Sequence, residues 1–396
     1  MKNILIAMND APYPPYSGGK IDFFYKLKVL KDLGCNIYLI YSYSHEEDDK
    51  KFKQVACGFV AKLVSYPRKK NLKDLLSFIP YYIISSKPDN EDKNQIDAML
   101  ANINIDVILI DHLNSSLIGE YVIKKYPQSK VILRMHNNES VFLYSLFKTF
   151  KITSPKKILL GFDALKMWLY ENKKYDIYEN ISAISLAEAK KIKKNHLNKN
   201  IKWIPPFFDF NASDEIILDD NENKEYLALQ EKLYDKKVLI ITGSFNGGFN
   251  VKSTEWFIAN VFKHLVECNK NIIFIIAGLD SDKHFLGNKN ILVIPKYNSV
   301  KPLMKIADLS IILSAGKGGV KLKLMEALNY RKKIVSTIDG VYGSGFEELL
   351  PNTDDKKIFF SYCMDALDGR IDYQEAYSYF KSRFNCKRNG LEMINE

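Results

Sequence analysis

Short, wholly apolar runs recur along this chain, and each leads through a turn into a helical pattern. NILIAM (3–8) opens into AMNDAPYPPYSGGK, a helical pattern runs from Ile21 to Leu33, Gly34 stops it, and a strand follows over Asn36 to Tyr41. Runs without alternation suit strands covered on both faces, as in a parallel sheet flanked by helices. DVILI (106–110) and KVILR (130–134) repeat the pattern, and a strand-like ISAIS (181–185) interrupts a helical region over 144–194. WIPPFFDF (203–210), with two prolines, breaks the series, and the acidic stretch 214–225 reads as linker or surface helix. A second series begins at KVLIIT (237–242), with the loop GSFNGGFN, a helix over Ser253 to Cys268 and strands at 272–276, 291–294, 309–313 and 333–337. A chain of 396 residues is long enough for two cores. The expected division is 1–206, 207–370 and a C-terminal helical segment 371–396 packing back toward the first domain.

Parallel sheets bind ligands at the carboxyl ends of their strands. Two glycine loops lie at such ends. In SAGKGGVKLKLMEALNYRKKIVST (314–337), Gly316, Gly318 and Gly319 precede a helix that ends near Arg331. Outward-facing N–H groups at such a start bind phosphate oxygens, aided by the helix dipole. Gly318, Gly319 and Val320 offer those amides, Lys321 and Lys323 add cations, and Glu326 offers an acceptor for the vicinal hydroxyls of a ribose. A glycine turn before an amphipathic helix with solvated lysines has the same appearance. Gly18 and Gly19 pose the same alternative, a phosphate cradle or a simple turn. After the strand at 237–242, Ser244 and Asn246 either bond phosphate or sugar or shape the loop.

Composition narrows the classes. The chain is 46% hydrophobic and 26% charged, values of a soluble globular protein. Its five cysteines are scattered without a Cys-x-x-Cys pair, as for reduced thiols in a cytoplasmic protein. The six histidines show no ligand spacing, and no Asp-x-Asp triplet stands in a loop suited to a metal, so no metal is expected. The first apolar run is too short for a signal peptide, and no run reaches the ~18 apolar residues of a membrane span. Residues 1–206 hold 32 of the 57 Lys and Arg but 21 of the 47 Asp and Glu, so the positive surplus sits entirely there. Arg68 and Arg134 are the only arginines in that half, which argues against base-reading nucleic-acid contacts. A lysine-rich surface suits anionic lipid or phosphorylated ligands, or reflects compositional bias alone. KLVSYPRKKNLKDLLSFIPYYIISSK (62–87) interleaves Arg68, Lys69, Lys70 and Lys73 with Leu75, Leu76, Phe78, Ile79, Tyr81 and Tyr82. It reads as a peripheral membrane-docking segment or as a loop and helix packed on the first domain. The helical region 144–178, with Phe147, Phe150, Leu159, Leu160, Phe162 and Trp168, is a further candidate binding surface, although core packing suits its aromatics better.

PYPPYSGGK, RMHNNES (134–140), LYENKKYDIYENISAIS with Glu171, WIPPFFD, GSFNGGFNVKSTEWF, GGVKLKLMEAL and TIDGVYG stand in an order that resembles GT-B glycosyltransferases of the retaining family-four type. These build capsules, O-antigens, lipopolysaccharide and exopolysaccharides. The resemblance covers nearly the whole chain and implies an α/β fold of two Rossmann-like parallel-sheet domains facing a central cleft. It implies a hexosyltransferase-type enzyme using a nucleotide-sugar, foremost a UDP-sugar, with no further cofactor. The implied acceptor is lipid-linked or an oligosaccharide, and the implied place is the cytoplasmic face of a membrane.

By the same resemblance Gly18, Gly19, Ser244, Gly318, Gly319, Val320, Lys321 and Lys323 meet the donor diphosphate, and Glu326 meets the ribose. His136 is the catalytic residue, bonding a donor-sugar hydroxyl or the phosphate, or acting as general base in an inverting enzyme. Asn137, Glu139 and Asn246 are possible donor or acceptor contacts. Asp111-His112 is a second candidate after a strand, or simply part of a turn. The chain departs from the family where Gly318 replaces the first of two spaced glutamates and where the usual Arg and Lys pair after the first donor-domain strand is missing. Phosphate neutralisation then shifts to Lys321 and Lys323, which a two-residue step turns about 200° apart on a helix; Lys321 is the one expected to face the diphosphate. Two other readings remain: a sugar-nucleotide epimerase of the same fold, and a catalytically degenerate partner subunit.

Overall fold

The computed structural model describes the chain except residues 70, 150–154, 211–214, 247, 315, 317 and 396. It forms two compact units, Met1–Asp209 with Phe384–Glu396, and Phe210–Arg383.

The first unit is built on strands β1 (Asn3–Met8), β2 (Asn36–Tyr43), β3 (Lys62–Pro67), β4 (Val107–Asp111), β5 (Lys130–Met135), β6 (Asn180–Ala183) and β7 (Asn200–Trp203). Their order is β3-β2-β1-β4-β5-β6-β7, and every adjacent pair is parallel. The apolar runs occupy the middle because strands there are covered on both faces: Ile4 to Met8 and Val107 to Asp111 are buried throughout. Each fully buried Leu, Ile or Phe side chain contributes roughly 1.5–3 kcal/mol. The helix Gly18–Asp32 buries Phe23, Leu27 and Leu30 but also, unusually, Lys20, Asp22 and Lys26. The C-terminal helix Cys386–Asn395 lies against it, since a Cβ on Gly390 would stand 2.9 Å from Val29 Cγ1 and Leu33 Cδ1.

The second unit is a five-stranded parallel sheet in the order β10-β9-β8-β11-β12. Its strands are β8 (Lys237–Thr242), β9 (Ile272–Ala277), β10 (Ile291–Ile294), β11 (Leu309–Ile312) and β12 (Lys333–Ser336). Leu239, Ile241, Phe257, Phe262, Phe274, Ile311 and Phe359 fill the core on one face.

The segment 371–396 is divided between the units: the helix Gln374–Arg383 belongs to the second, and the first takes up the chain again from Phe384. Tyr373 shows why, donating its hydroxyl to the Ile334 carbonyl of β12 at 2.9 Å. Trp203 ends β7 rather than opening the linker, and Lys62 to Pro67 form the edge strand β3 rather than docking surface. In the rest of 62–87, Leu72, Leu76 and Phe78 are exposed at 82%, 89% and 97%, whereas Pro80, Ile83, Ser85 and Ser86 are buried and Lys70 lies outside the described residues. On the helix Pro155–Ile177, Ile158, Leu159, Phe162, Leu165 and Trp168 also stand outside the core, contrary to the expectation that packing would claim the aromatics. Phe150 lies outside the described residues. No described helix is long and apolar enough to cross a membrane.

Candidate active site

In the first unit the connections from β1 and β4 run to opposite sides of the sheet, so a crevice opens where their carboxyl ends diverge. The loop after β1 leads to Gly18 and Gly19 at the start of the helix Gly18–Asp32, Asp111 and His112 end β4, and His136 follows β5. Ser17 caps that helix without a side-chain hydrogen bond. A Cβ built on Gly19 would lie 4.0 Å from His136 Nδ1, so the glycine amides and this imidazole edge share one small region.

His136 is fixed from behind. Its Nε2 lies 2.9 Å from Asp111 Oδ1 and 3.3 Å from Asp22 Oδ2. Two carboxylates at one nitrogen require the proton there, so the neutral ring is the Nε2–H tautomer and Nδ1 is an acceptor. Burial pushes His136 below the usual histidine range, against the opposing pull of Asp22 and Asp111. Both carboxylates are in turn neutralised. Lys26 Nζ sits 2.7 Å from Asp22 Oδ2 and 2.5 Å from Asp111 Oδ2. Arg134 donates from Nη2 to Asp22 Oδ1 at 2.8 Å and from Nε to Oδ2 at 3.2 Å. Burial alone would raise Asp22, but Arg134 and Lys26 hold it well below the usual carboxylate range; Asp111 is likewise held low, by Lys26 and His136 against burial. Asp22, Asp111 and His136 offer three ligand atoms within 4.8 Å of one another. A metal there would have to displace Lys26 and Arg134, so this donor set does not fit one.

The same guanidinium holds the chain near the end of the unit. Arg134 Nη1 donates to Ser182 Oγ at 3.1 Å and to the Ile204 carbonyl at 3.2 Å, while Nη2 donates to the Pro205 carbonyl at 3.2 Å. Asp22 Oδ1 accepts the Phe207 amide at 2.7 Å.

Glu139, Asn137 and His112 form a second layer. His112 Nε2 lies 3.0 Å from Glu139 Oε1, and its Nδ1 accepts the Asn114 amide at 3.2 Å. His112 has φ 80°, a left-handed backbone uncommon outside glycine. Asn137 Nδ2 donates to Glu139 Oε1 at 3.4 Å. Glu139 is therefore engaged with its own unit, and His112 keeps its carboxyl ionised against burial. Glu171 caps the helix Glu139–Thr149, accepting from the Glu139 and Ser140 amides at 2.6 and 3.1 Å.

The second unit repeats the arrangement. Strands β8 and β11 flank its switch point, and the loops after them are the two glycine loops. Gly278, which leads away from β9, passes so close that a Cβ there would lie 1.7 Å from the Gly243 carbonyl oxygen. Ser244 Oγ donates to Asn246 Oδ1 at 2.9 Å, and Asn250 Nδ2 donates to the Ser244 carbonyl at 2.8 Å. Thr242 Oγ1 donates to Glu326 Oε2 at 3.2 Å.

The helix after β11 is Leu322–Asn329, with Lys321 as its N-cap, so Gly318, Gly319 and Val320 lie in the loop before it. The lysines point apart, but Lys321 has extended backbone (φ −82°, ψ 109°) and stands outside the helical repeat, and the partners are exchanged from those expected. Lys321 Nζ folds back to donate to the Gly316 and Gly318 carbonyls at 3.0 and 2.6 Å. Lys323 Nζ crosses to the other glycine loop and donates to Asn250 Oδ1 at 3.2 Å. Burial, aided by Lys321, pushes Lys323 down to about 7, and burial pushes Glu326 up to about 7. Tyr297 lies close enough for the Glu326 charge to add to the upward shift that burial gives its hydroxyl. A side chain at Gly318 would meet nothing within 4 Å, so packing does not explain the absence of the glutamate.

Comparison with known proteins bears on this second unit first. Residues 236–364 match the family model of glycosyl transferases group 1. The chain carries a group 1 glycosyl transferase domain. The matched span holds Ser244, Asn246, Gly318 to Lys321, Lys323 and Glu326. Over 98% of both chains this transferase is 22% identical to an uncharacterized 44.6 kDa protein in a cps region of Klebsiella pneumoniae. Among solved structures, Alr3699/HepE of Anabaena, in complex with UDP and glucose, is similar at TM-score 0.58 with 12% identity, covering 100% of this chain and 96% of that one. The UDP-GlcNAc 2-epimerase of Methanocaldococcus jannaschii is similar at TM-score 0.57 with 13% identity, covering 100% and 99%. At such identities the likeness speaks for the fold, which is GT-B-like, with two parallel-sheet α/β domains.

The sequence singles out the loops and His136 as candidates but not the ion-pair network behind the histidine. Asp22 and Lys26 stand one turn apart on a helix that otherwise presents apolar residues to the sheet, a pattern that also fits a solvated face. Asp111 carried a signal, since a charged residue closes the apolar run VILI and stands beside His112.

Proposed function

We propose that the protein transfers a hexosyl group from a nucleotide-sugar, foremost a UDP-sugar, to a lipid-linked or oligosaccharide acceptor, with retention and without a metal. The observation that carries this is the edge of the second sheet, where two glycine loops, Lys323, Thr242 and Glu326 converge inside the matched family span. In this reading loop amides and Lys323 take the diphosphate, and Glu326 takes the ribose hydroxyls. Lys321 acts on the phosphate indirectly, by clamping the carbonyls of its own loop inward so that the amides face out. Fixed dipoles and cations stabilise the charge that develops on the leaving diphosphate without reorganising. The bond from the anomeric carbon to the diphosphate breaks, the acceptor oxygen bonds to that carbon, and the acceptor proton passes to a leaving phosphate oxygen. His136 accepts a hydrogen bond from a sugar hydroxyl at Nδ1, as its neutral tautomer dictates.

The test is a melting-temperature panel of UDP-, GDP-, ADP- and TDP-sugars, since a ligand that binds the native state raises the melting temperature. One of them stabilises the protein, and Lys323→Ala weakens that ligand about ten- to a hundred-fold, the range for hydrogen bonds to charged groups. Affinity falls as pH rises above 7, because the phosphate binds the charged amine and burial has brought that amine to about 7 in the free protein. A flat pH profile with unchanged affinity in the variant removes Lys323 from the site. Stabilisation by none of the four favours the degenerate partner subunit. The similarity to an epimerase keeps one other reading in view: with donor and no acceptor, a free epimer identifies an epimerase, and slow hydrolysis to sugar and nucleotide a transferase.

The proposal includes peripheral contact with the cytoplasmic face of a membrane through the first unit. Lys166 Nζ donates to the Leu75 carbonyl at 2.7 Å and the Tyr81 amide donates to Asp163 Oδ1 at 3.1 Å. These bonds set the exposed Leu72, Leu76 and Phe78 beside the exposed Phe162 and Leu165. Lys73 stands between Leu72 and Leu76 in the chain and Lys166 reaches the same segment, supplying cations for anionic headgroups. Replacing Leu76 and Phe78 together by Asp is expected to lower co-sedimentation with phosphatidylglycerol vesicles at least five-fold without changing the melting temperature; equal sedimentation rejects the contact.

A further inference from the structure

Between the helices Pro155–Ile177 and Leu186–Asn195 of the first unit lies an open pocket of about 380 Å³, the solvent space at its mouth included. Trp168, Glu171, Asn172 and Tyr175 line one wall at a spacing of three, four and seven residues, which places them on a single helix face. Lys191 and Asn195 come from the facing helix, and Asn138 and Ser140 line the end toward the loop that carries His136.

Its chemistry is that of a site for a polyol ring. Trp168 is 54% exposed and presents an aromatic face at the rim. Tyr175 is 4% exposed, and its hydroxyl is buried without a hydrogen-bond partner among the described residues. Unsatisfied buried hydroxyls are costly, and a ligand oxygen here would relieve this one. Glu171 uses the Glu139 and Ser140 amides, which leaves its carboxyl further acceptor capacity. Burial also pushes that carboxyl up to about 7, so near neutral pH it both donates and accepts. Side-chain amides, a carboxyl, a phenol and an aromatic face match vicinal hydroxyls on an apolar ring face, whereas Lys191 is the one lysine or arginine among the described lining residues, and a second phosphate subsite would call for more.

We propose that this pocket binds one glycosyl unit of the acceptor glycan, resting on the transferase reading above. The Glu171 cap links it to the active site, because the carboxyl that faces the pocket also holds the helix that begins three residues after His136.

The test is saturation-transfer NMR on the full chain with a panel of methyl hexopyranosides, methyl N-acetylhexosaminides and their disaccharides. At least one glycoside binds. Tyr175→Phe weakens it about five-fold, and Trp168→Ala about ten-fold. Neither variant changes nucleotide-sugar affinity, and nucleotide-sugar does not displace the glycoside. Absence of binding by every glycoside, or binding that survives both substitutions, overturns the proposal, and displacement by the nucleotide-sugar assigns the pocket to the donor instead. Nucleotide-sugar binding and hydrolysis, measured on the same samples, report on the transferase reading separately, so either idea can fail while the other stands.

Discussion

Arg134→Met is expected to cost the first unit about 3–5 kcal/mol, the range for leaving a buried charge without its partner. Arg134 and Asp22 are at 0% and 1% exposure, so water does not replace the missing guanidinium. The substitution also strips donors from Ser182 Oγ and the Ile204 and Pro205 carbonyls. Methionine of similar length fills the space and keeps cavity formation out of the result. The sign of the pH dependence follows from Asp22. Its carboxyl is depressed in the folded protein, so its contribution is present above the unfolded carboxylate range and is lost as pH falls through the depressed folded value. Removing Arg134 raises that folded value, and the acid limb of the stability curve moves to higher pH. Urea unfolding in a Trp256→Phe background reads this directly, because Trp168 and Trp203 both lie in the first unit. The exposed pair Lys50–Glu46 serves as control, and Lys50→Ala should leave the curve unchanged. A loss below about 1 kcal/mol, the range of surface pairs, would show that the buried network does not hold the unit together.

His136→Ala is expected to lower turnover about a hundred-fold or more with little change in melting temperature. Turnover is read as nucleotide release from whichever sugar nucleotide the melting panel selects. Asp22 and Asp111 retain Lys26, and Asp22 retains Arg134, so the fold survives the loss of the imidazole. Since burial pushes His136 below the usual range, wild-type activity should hold through neutral pH and fall on acidification, when Nδ1 takes a proton and ceases to accept. Asp111→Asn tests the positioning role of that carboxylate: the amide no longer favours the charged ring, so the acid limb moves to lower pH while donor affinity stays constant. A His136→Ala variant within three-fold of wild type would remove the residue from the reaction.

The outline of this protein was readable because apolar strand runs and glycine loops are local signals. β1, β2, β4, β5 and all five strands of the second sheet stand where unbroken apolar residues announce them. The edge strands escaped for a physical reason. β3 (KLVSYP) and β7 (NIKW) are half exposed, carry lysine, and so look like surface loops. Helices such as Glu46–Ala56 (EEDDKKFKQVA) bury only a narrow stripe, and their charges mask it. The site divides in the same way. Glycines and His136 belong to short motifs, whereas Asp22, Lys26, Asp111 and Arg134 meet across 112 residues of chain, a distance at which sequence spacing carries no geometry. Lys321 and Lys323 show the finer limit. Helical pitch predicts that they diverge, but Lys321 caps the helix with extended backbone, so its direction and its carbonyl partners depend on the path of the loop before the helix.

The Arg134 guanidinium touches Asp22, Ser182, Ile204 and Pro205 at once, and His136 leans on that same Asp22 and on Asp111. The histidine motif is consequently not portable. Grafted into another scaffold as RMHNNES alone, it would arrive without the salt lattice that selects its tautomer. A designer recombining such modules would have to transplant the first helix and the closing segment 204–207 along with it, so the natural crossover point for chimaeras lies beyond Phe207.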